Sequence, residues 1–257
     1  MEATKDRIRN FFINIIYRIK RAFFKNPKTF NPNLTLDVHD VFEDIEKRWD
    51  IHREWDYGND EVVMYPSSHS VIPLGNGNGV KLITALRPKI NRHIGKIITY
   101  GKGELFSKDI YHSGAMEVIV NISPAPALWH APLWFITKDV VLPEVDISEV
   151  YTENDKNDGR SNTNIHYGKD YAENKKSMGA KTHYLPELFN RDISFAIIWN
   201  KKRIKIYYDG YLVRKITNKK ILRRIQKGVI PIISTGIAAK YSHSGSEMIV
   251  KSFKYWK

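Results

Sequence analysis

Beyond residue 34 the chain breaks into short β-prone runs separated by turn residues, and no long helical period interrupts them. β-branched and aromatic residues favour strands. Residues 80–85 follow the turn Gly75-Asn76-Gly77-Asn78-Gly79, and residues 115–122, 133–137, 193–199 and 248–256 have the same character. Asp209-Gly210 between residues 204–208 and 211–216 is a two-residue hairpin signal. Residues 219–227 are a short basic helix candidate, and residues 153–181, rich in Asn, Lys, Gly and Ser, read as a long functional loop. Many short strands with frequent turns predict an all-β fold, a two-sheet antiparallel β-sandwich.

The N-terminus differs. Residues 7–24 are basic and apolar together, with Ile8, Phe12, Ile15, Ile16, Ile19 and Phe23 at helical spacing. The uncharged run 10–17 falls short of the ~20 residues that span a bilayer, and no small-residue cleavage site follows it. The expectation is an N-terminal amphipathic helix that docks on a membrane surface or a partner protein, or packs on its own domain. Residues 25–33 read as a linker, which divides the chain into 1–33 and 34–257. The absence of cysteine excludes disulfides, thiolate metal sites and a thiol nucleophile. Of the net charge of +13, residues 201–257 hold 15 Lys or Arg against Asp209 and Glu247. That surplus suits a solvated face or an anionic polymer. Nucleic acid is not expected as a partner, because aromatic residues among the basic ones of 201–227 are limited to Tyr207, Tyr208 and Tyr211.

Chemistry concentrates in Glu144-Val145-Asp146-Ile147-Ser148-Glu149. In a regular strand Glu144 and Asp146 share a face and Glu149 points the other way. One β-bulge between them returns Glu149 to that face. Three crowded carboxylates cannot all ionise easily, so one pKa should rise. Glycoside hydrolysis needs such a pair, one carboxylate attacking and one carboxylic acid donating a proton. A calcium site or a solvated edge strand is the alternative from these six residues alone.

The surrounding segments widen the pattern. Tyr57-Gly58-Asn59-Asp60-Glu61, residues 79–85, Tyr100 to Lys108 and Gly114-Ala115-Met116-Glu117-Val118 come before the acidic run. So do Trp129 and Trp134, whereas Asn164-Ile165-His166-Tyr167-Gly168, Trp199, Tyr207-Tyr208-Asp209-Gly210 and residues 248–255 follow it. Together they resemble glycoside hydrolase family 16 in its laminarinase-like branch, over residues 37–257. Three departures stand out: Ser148 replaces an aliphatic residue, the tryptophans are five apart rather than four, and residues 232–236 lack an asparagine.

The resemblance implies a concanavalin A-like jelly roll and a retaining endo-hydrolase of a β-linked polysaccharide, a β-1,3-glucan or a sulfated galactan. Glu144 would be the nucleophile, Glu149 the acid/base and Asp146 the residue tuning both. Trp55, Asn59, Trp129, Trp134 and His166 would bind sugar, with core packing the alternative for Trp129 and Trp134, a structural role the alternative for Trp55 and His166, and a hydrogen bond to the catalytic carboxylates a further option for His166. No cofactor is expected; Glu153, Asp155 and Asp158 could suggest a structural calcium ion, but their spacing does not fit an EF-hand and a solvated loop is the preferred reading. The implied substrate points to an extracellular or virion-surface setting. A non-catalytic carbohydrate-binding or virion-type structural module on the same fold is the rival reading.

Overall fold

The structure, a computed structural model, describes residues 30–53, 64–91, 95–152, 160–169, 175–185, 187–237 and 246–257. The expected N-terminal helix, Trp55, Asn59 and the acids of residues 153–159 lie outside them.

The elements run β1 (Leu36–Asp40), α1 (Ile45–Arg48), β2 (Trp49–Asp50), β3 (Met64–Pro66), β4 (Val71–Pro73), β5 (Val80–Asn91) and β6 (Lys96–Lys102). Then come β7 (Glu104–Ser107), β8 (Gly114–Ile122), β9 (Trp129–Thr137), β10 (Glu144–Tyr151), β11 (Arg160–Tyr167), β12 (Lys176–Ser177) and β13 (Lys181–Tyr184). The chain closes with β14 (Asp192–Asn200), β15 (Arg203–Tyr208), β16 (Tyr211–Ile216), α2 (Lys219–Ile225), β17 (Val229–Ser234) and β18 (Ser246–Trp256).

Two sheets stack face to face. The larger runs β16-β15-β14-β8-β18-β5-β6-β3, with β1 also on β18 and β4 on β5. The smaller runs β12-β11-β10-β9-β17-β7-β2, with β13 also on β11. Pairing is antiparallel except for β3 on β6. Alternation buries one face of each strand between the sheets: Leu82, Val118, Phe195 and Phe253 from the larger meet Leu105, Leu133, Phe135 and Val145 from the smaller. The hairpin at Asp209-Gly210 forms as expected, with both residues at positive φ, 48° and 79°, the twist that suits a two-residue connection. Phe30 packs edge-on against Tyr207 and Trp256.

Residues 160–167 correct the long-loop expectation. They form β11, an inner strand of the smaller sheet beside β10. Its polar composition resembles a loop, yet Ser161, Thr163 and Ile165 turn to the interior and are buried while Asn162, Asn164 and His166 take the other face. The small hydroxyl side chains fill the inward positions, which removed the apolar alternation from the sequence.

Candidate active site

Strand β10 carries the three carboxylates, and its pairing with β11 shows how they share a face. Glu144 lies opposite His166, Asp146 opposite Asn164 and Glu149 opposite Asn162, with the register shifting between Asp146 and Glu149. His166, Asn164 and Asn162 are two apart and therefore on one side. The extra residue on β10 brings Glu149 to that side as well, as the sequence required. From Asp146 the face continues through Trp134 on β9, Ile232 on β17 and Phe106 on β7.

The bulge is tied down from the core. Ser148, at the position usually aliphatic in the family, is fully buried. Its Oγ lies 2.9 Å from Ser161 Oγ. Ser161 Oγ donates to the Tyr208 hydroxyl at 3.0 Å, so the Ser148 hydroxyl is the donor to Ser161. The Tyr208 hydroxyl donates in turn to the carbonyls of Ile147 at 2.9 Å and Asn162 at 3.2 Å. Tyr208 stands on β15 of the opposite sheet, so its phenol crosses the sandwich to hold the bulged backbone and its partner strand together. Burial keeps that phenol protonated by pushing its pKa up.

The electrostatics are those of crowded acids in a poorly solvated place. Burial, reinforced by Glu144 and Glu149, raises the Asp146 pKa well above the ordinary carboxylate range. Burial also pushes Glu149 up to about 7. The Trp129 indole N–H, which donates to Glu149 Oε1 at 3.2 Å, pulls it down and Glu144 pushes it up. Lys175 Nζ lies 3.7 Å from Glu144 Oε1 and opposes the upward shifts of Asp146 and Glu149.

His166 Nε2 sits 3.7 Å from Glu144 Oε1 and 3.4 Å from Asp146 Oδ2. Neither approach makes it an ion pair. Asn164 Oδ1 accepts from Ile165 N and Ser177 Oγ, which assigns the amide nitrogen to the side of His166, 3.1 Å from Nε2. That nitrogen can only donate. His166 Nε2 is therefore the acceptor, and the ring is neutral with its proton on Nδ1. Its lowered pKa, caused first by burial, agrees. Asp146 Oδ2 is left buried without a hydrogen-bond partner. Glu144, Asp146 and His166 offer ligand atoms within 4.8 Å of one another, so among the described residues these three could hold a cation.

Of the eight residues the sequence proposed, the structure gathers Glu144, Asp146, Glu149, His166, Trp129 and Trp134 on one face. Trp129 is 45% exposed, a flat apolar surface at the rim. Trp134 is half-buried on the same face and donates to Ser234 Oγ at 3.3 Å; it packs on the small cluster of Phe106, Ile136, Ile230 and Ile232 rather than in the main core. Sequence reasoning missed Lys175, Asn164 and Tyr208. The Asn162, Asn164, His166 alternation was the available signal for β11. Nothing local pointed to Lys175 or to a tyrosine on the other sheet.

Comparisons with known proteins identify the family and the fold. Residues 59–246 match the model of Glycosyl hydrolases family 16. Glucan endo-1,3-beta-glucosidase A1 of Niallia circulans is 24% identical over 177 residues, covering 64% of this chain and 25% of that protein. This chain thus spans about a quarter of that relative's length. Among solved structures, LamAcat from Zobellia galactanivorans has a TM-score of 0.71 at 14% identity, covering 87% of this chain and 98% of that one. The kappa-carrageenase from Pseudoalteromonas carrageenovora, in complex with an oligotetrasaccharide of kappa-carrageenan, has a TM-score of 0.66 at 15% identity, covering 90% and 98%. Identities this low establish a shared fold.

Two substitutions test how the site is set. Tyr208→Phe leaves the Ile147 and Asn162 carbonyls without their buried donor and should lower stability by about 1–3 kcal/mol. Retained secondary structure in circular dichroism with kcat reduced and KM little changed would show that the bulge, not the sandwich, has loosened. Trp129→Phe removes a donor to the ionised form of Glu149, so the Glu149 pKa should rise. The alkaline limb of kcat/KM should then move to higher pH; a shift to lower pH would contradict Trp129 as a donor to Glu149.

Proposed function

The chain belongs to Glycosyl hydrolases family 16, and on that premise we propose that it is a retaining endo-glycosidase that cleaves a β-linked polysaccharide through Glu144 and Glu149. The observation that carries this reading is the shared face of the three carboxylates across the bulge, with Glu149 raised to about 7. A general acid must still hold its proton near neutral pH, and burial gives Glu149 that property.

In the proposed mechanism Glu149 protonates the glycosidic oxygen while the Glu144 carboxylate attacks the anomeric carbon. The leaving sugar departs and a glycosyl ester to Glu144 remains. Glu149, now ionised, takes a proton from water, and the resulting hydroxide displaces Glu144 from the sugar. Retention by this route expects the two carboxyl groups ~5–5.5 Å apart. Asp146 lies between them in the strand. Its raised pKa makes it a proton-bearing group beside the nucleophile, suited to donate a hydrogen bond to whichever neighbour is charged. Neutral His166 leaves the negative charge of the attacking group uncancelled, and Lys175 supplies a cation next to it. Trp129 offers its face to a pyranose ring, and Trp134 and Ser234 line the floor beyond.

A β-1,3-glucan is the first substrate under this reading, in keeping with what the Niallia circulans relative is named for. An anionic galactan is the second, favoured by the ammonium of Lys175 at the cleft. Two of the basic residues of the C-terminal quarter have structural work: Arg214 donates to the Thr163 carbonyl at 2.7 Å and Arg224 to the Gly168 carbonyl at 2.7 Å.

The test is incubation with a panel of neutral and sulfated β-glycans, analysed for oligosaccharide products. Glu144→Gln should fold normally and lose at least about a thousandfold in kcat. Full turnover in that variant, or binding without any product from the parent chain, would overturn the assignment.

A further inference from the structure

The three most exposed large apolar side chains among the described residues lie on one hairpin of the larger sheet. They are Leu86, Ile90 and Ile97, at 60%, 64% and 68% exposure. Strands β5 and β6 form that hairpin, and Ile90 faces Ile97 directly across it. The larger sheet supports only its base. Strand β18 meets β5 no further than Thr84, and β3 meets β6 only from Tyr100 to Lys102. Among the described residues, 86–91 pair with β6 alone, so the outer part of the ribbon projects beyond the sandwich.

The ribbon's own sequence is basic. Residues 86–103 contain five Lys or Arg and no Asp or Glu, of which Lys102, at the base, pairs with Glu104 at 2.7 Å. Arg87 and Lys89 belong to the ribbon itself; Lys89 Nζ lies 5.1 Å above the Tyr65 ring and Arg87 reaches the His69 carbonyl at 3.5 Å. Two-stranded ribbons gain little from exposing a β-branched cross-strand pair, since such pairs contribute to stability through burial.

We propose that the β5–β6 hairpin inserts its isoleucine pair into the interface of a lipid bilayer carrying anionic headgroups. The side-chain chemistry selects this occupant. Aliphatic isoleucines enter the acyl boundary but offer no flat face for a sugar ring. The surrounding Lys and Arg attract anionic lipid. A second copy of the chain would bring the same positive charge against it.

The experiment is sedimentation of the full chain with phosphatidylcholine vesicles and with vesicles that also contain phosphatidylserine. The parent should partition onto the anionic vesicles, less so as salt is raised. The double variant Ile90→Ser with Ile97→Ser should lower that partitioning at least about tenfold. Its melting temperature should stay unchanged, because both residues are exposed. The segment 7–24 is also basic and apolar, and it is present in both proteins. Undiminished binding by the double variant would overturn the proposal. So would no binding by the parent, or retention of the parent on dextran sulfate with none on anionic vesicles.

Discussion

The hydroxyl of Tyr208 makes the interaction on which the rest of the site depends. A strand offers only two faces, and acids at positions 144, 146 and 149 cannot share one unless an extra residue enters between them. That residue breaks the ladder locally and leaves backbone groups to be satisfied elsewhere. The phenol reaching across the core satisfies the carbonyls of Ile147 and Asn162, and Ser161 and Ser148 complete the chain of donors. The polar Ser148, anomalous against an aliphatic expectation, is explained by this partner. A buried network of this kind is stabilising only when every member is paired, so it also fixes one register.

Once the bulge is set, the electrostatics follow from burial. Three carboxylates stand on a face whose neighbours are Trp134, Ile232 and Phe106, with little water to solvate them. Asp146 and Glu149 respond by holding protons to higher pH. The donors in reach are unequal: an indole N–H for Glu149, an ammonium near Glu144, and for Asp146 Oδ2 none. The neutral His166, held as an acceptor by Asn164, keeps a second positive charge out of the site. One strand thereby presents three chemically different carboxyl groups.

The sequence made the sandwich legible because most strands alternate clearly, and because Asp209-Gly210 matches the conformation that its turn needs. The acidic run and its bulge were legible from face-sharing alone. Strand β11 was not, since Ser161 and Thr163 occupy inward positions where alternation requires apolar residues. The environment of the acids was not legible either: Lys175 reaches Glu144 from beyond β11, and Tyr208 reaches the bulge from the other sheet, 60 residues after Ser148 in the chain. Such contacts follow from sheet stacking, which no local pattern encodes.

The central claim is that the bulged strand presents Glu144 as attacking group and Glu149 as acid/base to one sugar. The anomeric configuration of the first product reports on it most directly. In proton NMR of a fresh digest of a β-linked glycan, double displacement predicts that the new reducing end appears first as the β-anomer and then mutarotates. Initial release of the α-anomer would mean single displacement by water and would contradict the roles given to both glutamates.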